Sequence, residues 1–188
     1  METQTKDYSN KILTIPNLMS FFRICLIPVC AWLYVEKQNY LWTTIVLILS
    51  GLTDIIDGFI ARRFNMISNL GKMLDPVADK LTQLVMLICL ITRFPLMWAP
   101  TILLVIKEFL DTVTGLLVIH KVGVVEGADW HGKVVTFLLY LTIGLHLIWY
   151  SIPASVSNLA ICVSVVMMIV SLALYSAHRI RLLMKQEK

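Results

Sequence analysis

Charge is what this chain has least of. Charged residues make up 15% of its 188 positions, where a soluble domain carries about 25%. Hydrophobic residues reach 58%. That balance excludes a water-soluble globular domain and indicates an integral membrane protein. Cysteine is scarce as well. Cys25, Cys30, Cys89 and Cys162 all sit in apolar runs without paired spacing, which excludes a disulfide framework or a zinc site and leaves small buried hydrophobes. The net charge of +4 is modest and forms no stripe on a soluble domain, so no nucleic-acid partner is expected. There is no internal repeat, no low-complexity segment and no polar stretch long enough for a separate soluble domain. The start, Met1 to Lys11, is polar and mixed in charge, and the first apolar run continues into a full span, so no removable signal peptide is expected.

What is present is a series of apolar runs near the roughly 20 residues that cross a bilayer. Six are expected as helices: Asn17–Val35, Tyr40–Ala61, Pro76–Ile91, Leu96–His120, Gly132–Tyr150 and Ser155–Tyr175. The third is short, which implies that its N-terminal part lies in the cytosol or a cavity. The fold class is therefore all-α, an integral membrane bundle of about six transmembrane helices. Residues 1–16 form a cytosolic or interfacial segment, 17–175 the membrane domain, and 176–188 a basic cytosolic tail. Asn17, after Pro16, is a candidate N-cap.

Basic residues set the orientation. With the N-terminus inside, one side collects Lys6, Lys11, Arg62, Arg63, Lys72, Lys80, Lys121, Lys133, Arg179, Arg181, Lys185 and Lys188, and the other only Lys37 and Arg93. Both termini and the loop after the second helix are expected in the cytosol. Trp32, Trp42, Trp98, Trp130 and Trp149 fall near expected helix ends, as interfacial anchors do.

Against this apolar background stand four aspartates: Asp54, Asp57, Asp75 and Asp79. Each carboxylate is costly in hydrocarbon. At ~4 Å and an effective dielectric of ~20, one like-charge pair costs about 4 kcal/mol. Clustered, they call for a cation, and their oxygen-only chemistry suits magnesium, manganese or calcium. A divalent metal in a membrane protein suggests phosphate chemistry. Asp54 and Asp57, at i and i+3, share a helical face with Ala61; Asp75 and Asp79, at i and i+4, share a face of the next helix. Gly58 lets a ligand approach the backbone. Each residue also has a plainer reading. Asp75 before Pro76 suits a helix N-cap, Asp79-Lys80 a solvated helix start, and Arg62-Arg63 a positive-inside anchor. None of these explains the joint spacing.

The spacing is D-x2-D-G-x2-A-R-x8-G-x3-D-x3-D, filled by Asp54, Asp57, Gly58, Ala61, Arg62, Gly71, Asp75 and Asp79. It resembles the signature of the CDP-alcohol phosphotransferase family at every position. The resemblance implies an active site at the cytosolic ends of helices 2 and 3. It also implies transfer of a phosphatidyl group from CDP-diacylglycerol to an alcohol, with release of CMP. Carried over by residue, it implies metal binding (Mg2+ or Mn2+) by Asp54, Asp57, Asp75 and Asp79, with Asp79 the catalytic base. It places CDP on Asp54, Asp57, Gly58, Ala61, Arg62 and Gly71. It further implies a homodimer in the bilayer, here a bacterial cell membrane.

The acceptor is less sharply marked. Ile15-Pro16-Asn17 through Ser20 and Arg23, followed by Ile27-Pro28, resembles the opening of bacterial phosphatidylglycerophosphate synthases, with Ser20 where Thr is usual. Lys107-Glu108-Phe109 stands for their Arg-Glu-Phe, losing the bidentate fork. Gly132-Lys133 with Thr136 resembles their Gly-Lys-x-Lys-Thr, with Val135 replacing the second lysine. The basic set Arg23, Lys80, Lys107 and Lys133 fits an anionic acceptor, so glycerol 3-phosphate is expected. Phosphatidylglycerol, inositol phosphate or serine are the alternatives. Arg23 also reads as a snorkelling side chain, and Lys107 as a partner of Asp111 four residues on. His146 reads as a hydrogen-bonding residue of the core.

Two other classes fit less well. A cation transporter or channel would place acids along a path through the bilayer, whereas these gather on one side and the outer half offers little beyond Glu36. A plain membrane anchor has no use for four clustered carboxylates.

Overall fold

The computed structural model describes residues 15–63, 69–122 and 130–185. Among them are six α-helices and no strand: α1 Ile15–Val35, α2 Tyr40–Arg63, α3 Asn69–Ile91, α4 Trp98–Val122, α5 Trp130–Ile148 and α6 Ala154–Lys185, with a 3-10 turn at Pro95–Met97 before α4. Three of them, α1, α5 and α6, are long and apolar enough to cross a membrane by length and composition. In α4 the run Lys107, Glu108 and Asp111 interrupts the apolar sequence.

Burial is inverted relative to a soluble protein. Ser20, Arg23, Thr43, Ser50, Gln83, Lys107, His131, Thr142, His146 and Ser171 are buried, while Phe21, Phe22, Leu41, Ile102, Phe137, Leu159 and many other large apolar side chains are exposed. In water that surface would be far larger than a soluble monomer tolerates. In lipid it costs nothing, and the polar groups must find partners inside. All five tryptophans are exposed and lie at or beside helix ends.

The described residues form two compact units, one up to Cys89 and one from Leu90. In the first, α1 and α2 pack together across the short reversal at 36–39. Gln38 there takes a left-handed φ of 47°. Asn39 caps α2, its Oδ1 accepting from the Trp42 amide at 3.2 Å, and Tyr34 meets Tyr40 edge-on with centroids 5.1 Å apart. Small buried Ser20, Thr43 and Ser50 permit close helix approach.

In the second unit α6 packs on both α4 and α5. Its buried face runs Ser157, Ile161, Ser164, Met168, Ser171, Tyr175, a seven-residue repeat with serine at every return. Three polar bridges join that face to α5. His146 Nε2 meets Ser157 Oγ at 2.8 Å, Thr142 meets Ser164 at 2.8 Å, and His131 Nδ1 meets Ser171 at 3.1 Å. The order 146, 142, 131 against 157, 164, 171 makes the pair antiparallel. His146 also contacts the Thr142 carbonyl at 2.7 Å, so its expected place in a hydrogen-bonded core holds.

Three expected boundaries change. α3 begins at Asn69 and not at Pro76, which puts Gly71 and Asp75 inside the helix and removes the N-cap reading of Asp75. Hydropathy marks where a chain enters the bilayer, not where a helix starts, and 69–74 is too polar to have been counted. Asn17 is likewise inside α1 rather than its cap. α6 runs about ten residues beyond Tyr175, to Lys185.

Candidate active site

Polar side chains of α1 hold three of the four motif aspartates, from α2 and α3. α1 supplies Ser20 and Arg23 at i and i+3; α3 supplies Asp75 and Asp79 at i and i+4; α2 supplies Asp54 near its C-terminal end. Ser20 donates a hydrogen bond to Asp75 Oδ1. Arg23 Nη2 pairs with Asp54 Oδ1 at 2.5 Å, and Nη1 lies 3.4 Å from Asp79 Oδ1. The pairs run in step: one turn along α1 from Ser20 to Arg23 matches one turn along α3 from Asp75 to Asp79.

Arg23 is 2% exposed, whereas Asp54 and Asp79 are 40% and 36% exposed. The guanidinium is thus the desolvated partner and the carboxylates face the open side. Removing one partner of a buried pair strands a charge at a cost of about 3–5 kcal/mol; half-exposed carboxylates put this pairing toward the low end. The snorkelling reading of Arg23 is overturned, because its head is turned inward onto two carboxylates from different helices.

The chemistry of the donor set fits a divalent cation. It is all oxygen, and Asp54 and Asp79 already converge on one positive group. Among the described residues no group of three or more His, Cys, Asp or Glu side chains closes into a metal site. The side chains of Asp57, Gly58, Ala61, Arg62 and Gly71 lie outside the described residues, although the helices α2 and α3 run through those positions.

Lys80 is half-buried on α3. Lys107 and Lys133 belong to the second unit. Lys107 is buried, 2.7 Å from Asp111 Oδ2 and 3.7 Å from Glu108 Oε1, so the expected i, i+4 neutralisation is present. Arg179 from α6 joins it, Nη1 donating to the Asp111 carbonyl at 2.8 Å and lying 3.3 Å from Asp111 Oδ1. Lys107 and Arg179 both sit over the Tyr175 ring, 5.5 and 5.1 Å from its centroid, and His131 meets that ring edge-on at 4.5 Å. Lys133 is exposed on α5. Its neighbour Gly132 has a packing reason: a Cβ there would lie 2.9 Å from the Tyr175 hydroxyl.

Two residues escaped the reading of the sequence. The sequence marks Ser20 only as a substitute for Thr; its place one turn before Arg23 gains meaning from Asp75 and Asp79, one turn apart on α3. Gln83, four residues after Asp79, was passed over. It is 1% exposed, and neither amide atom has a hydrogen-bond partner. A buried amide left unbonded costs about 1–3 kcal/mol, and among the described residues Gln83 is the side chain with two such atoms.

With this geometry in view, the comparisons are specific. The chain belongs to the CDP-alcohol phosphatidyltransferase family, whose model matches residues 13–176. It is similar to a protein of Streptomyces coelicolor named cardiolipin synthase (CMP-forming), 37% identical over 142 residues that cover 72% of this chain and 66% of that protein. It is similar also to a CDP-diacylglycerol–glycerol-3-phosphate 3-phosphatidyltransferase of Rickettsia bellii, 35% identical over 115 residues, 58% of this chain and 62% of that protein. A protein of the same name from Wigglesworthia glossinidia brevipalpis is 34% identical over 103 residues, 52% of this chain and 56% of that protein. The chain therefore spans 56–66% of the length of these relatives.

Proposed function

We propose that this protein transfers the phosphatidyl group of CDP-diacylglycerol to glycerol 3-phosphate, giving phosphatidylglycerol phosphate and CMP. The observation that carries the reading is that Asp54 and Asp79, from two helices, share the buried Arg23 of a third, whose Ser20 holds Asp75. Family membership and relatives named for this type of transfer support it.

In the proposed reaction Asp79 accepts the proton of the acceptor hydroxyl as its oxygen attacks the lipid-bearing phosphorus. The bond from that phosphorus to the bridging pyrophosphate oxygen breaks, and CMP leaves with that oxygen. Asp54, Asp57, Asp75 and Asp79 would hold Mg2+ or Mn2+, which when bound neutralises the pyrophosphate and the charge developing on CMP. Ser20 fixes the Asp75 carboxylate. Arg23 holds Asp54 and Asp79 in one orientation and keeps their charges tolerable at the edge of the bilayer. Gly58 and Ala61 leave room for the cytidine along α2, with Arg62 and Gly71 completing the CDP contacts. Lys80, Lys107 and Lys133, with Arg23, are assigned to the anionic acceptor.

The same reading puts the site and both termini on the cytosolic face of a bacterial cell membrane, residues 1–16 and 176–188 outside the membrane domain, and two copies in a homodimer. Cytosolic placement suits a soluble nucleotide product, and the diacylglycerol tails stay in the bilayer. A second acceptor, phosphatidylglycerol giving cardiolipin, is favoured by the name of the Streptomyces relative and by the internal pairing of Lys107, which lowers the number of cations left for an anion.

The test is CMP release by the purified protein from CDP-diacylglycerol, with magnesium or manganese, across a panel of acceptors. Turnover with glycerol 3-phosphate that EDTA abolishes is the expected result. Turnover only with phosphatidylglycerol, inositol phosphate or serine keeps the mechanism and replaces the acceptor. No CMP with any of them overturns the reading.

A further inference from the structure

Gln83 sits on the carboxylate stripe of α3, one further turn along from Asp79. The stripe reads Asp75, Asp79, Gln83 at i, i+4 and i+8, so the side chains lie one above another. Asp75 and Asp79 are engaged by Ser20 and Arg23 of α1. In the turn of α1 that follows Arg23, Ile24 to Pro28, Cys25 is the only side chain that is not apolar, and it is exposed. Beside Gln83, Thr82 spends its hydroxyl on the Ala78 carbonyl at 2.8 Å. Gln83 is 1% exposed and neither its Nε2 nor its Oε1 has a hydrogen-bond partner. The residues that follow on the helix, Leu84 to Ile91, are apolar apart from Cys89. A carboxamide placed there without a partner is a group built for something else to satisfy.

Its position indicates what that is. Side chains four apart on a helix hold their Cβ atoms about 5–6 Å apart. That span admits two neighbouring oxygens, one hydrogen-bonded to each side chain. A vicinal diol has this shape. A hydroxyl both donates and accepts, and so does a carboxamide, which lets Gln83 satisfy it in either sense. We infer that Gln83 binds the second, non-reacting hydroxyl of a vicinal-diol acceptor while Asp79 engages the reacting one. The inference rests on Asp79 as the base of the proposed transfer. It makes Gln83 a specificity-determining residue: acceptors with adjacent hydroxyls, whether glycerol 3-phosphate, the glycerol headgroup of phosphatidylglycerol or an inositol phosphate, are accepted, and alcohols lacking the second hydroxyl are rejected. A site that has buried a polar group for a substrate hydroxyl discriminates strongly against the analogue without it.

The experiment compares each diol with its deoxy counterpart. Glycerol 3-phosphate is set against 3-hydroxypropyl phosphate, and phosphatidylglycerol against phosphatidyl-1,3-propanediol, in the wild-type protein, in Gln83→Met, which keeps the volume, and in Gln83→Asn, which keeps the amide but draws it back. Both kcat/KM from CMP release and acceptor binding by calorimetry are measured. The expected result is a wild-type preference of about tenfold or more for the diol. That preference should fall to near unity in Gln83→Met and to an intermediate value in Gln83→Asn, with the deoxy acceptors little changed. A preference that survives in Gln83→Met, an equal loss on both acceptors, or activity confined to an acceptor without adjacent hydroxyls such as serine overturns the inference while leaving phosphatidyl transfer intact. A wild-type protein that releases no CMP overturns the transfer reading instead, and the calorimetric preference still decides the role of Gln83.

Discussion

The two units of this protein use the same polar residue types to opposite ends. In the second, buried polar groups pair off, mostly between helices. His146, Thr142 and His131 of α5 meet three serines of α6, and Lys107, Asp111 and Arg179 neutralise one another between α4 and α6. In the first, the polar groups are gathered rather than paired off. Arg23 is fully buried, yet the carboxylates it touches are more than a third exposed, and Gln83 is left with no partner at all. The lesson is that polarity in an apolar bundle does not by itself mark a site. Satisfied polarity positions helices, where the alternative is an unbonded group in hydrocarbon. Polarity left exposed on one side, or buried without a partner, is what a substrate can use.

That contrast can be broken from either end. The largest effect is expected in the first unit: Asp79→Asn should lower kcat for CMP release by about 10²–10⁴, the range for loss of a general base, while CDP-diacylglycerol still binds. Near-normal turnover would remove Asp79 from the chemistry. In the second unit Asp111→Ala leaves Lys107 with Glu108 at 3.7 Å and takes the carboxylate from Arg179, and should cost up to about 3 kcal/mol of stability, read as a fall in the thermal midpoint in detergent. Restoring it with Lys107→Met in the same chain would show that the loss was electrostatic. Gly132→Ala pushes a methyl against Tyr175 and should cost about 1–3 kcal/mol, while Gly144→Ala, where a Cβ meets nothing within 4 Å, should be silent. The smallest effect is that of Ser164→Ala, which removes one interhelical hydrogen bond worth about 0.6 kcal/mol in such settings. It should shift the midpoint slightly and leave turnover unchanged. A turnover defect from Ser164→Ala would blur the division between the two units.

Reading the sequence succeeded where the signal was local. The six apolar runs became six helices because each run is long enough to need its backbone satisfied internally. The start of α3 was missed because Asn69 to Leu74 is helical without being apolar, and the far end of α6 for the same reason. The serine repeat at Ser157, Ser164 and Ser171 was there to be read, but a seven-residue spacing of serine says nothing until the helix it faces is known.

The amino-acid order alone determined the class of fold, the aspartate spacing and the family it marks, since these depend only on periodicity and on residues near in sequence. Only the tertiary structure decided that Ser20 and Arg23 face Asp75, Asp79 and Asp54 across thirty or more intervening residues, that Lys107 is neutralised by Asp111 with Arg179 beside it, and that Gln83 is buried without a partner. Those are relations between separate helices, fixed by how their faces pack, and no spacing within one helix carries them.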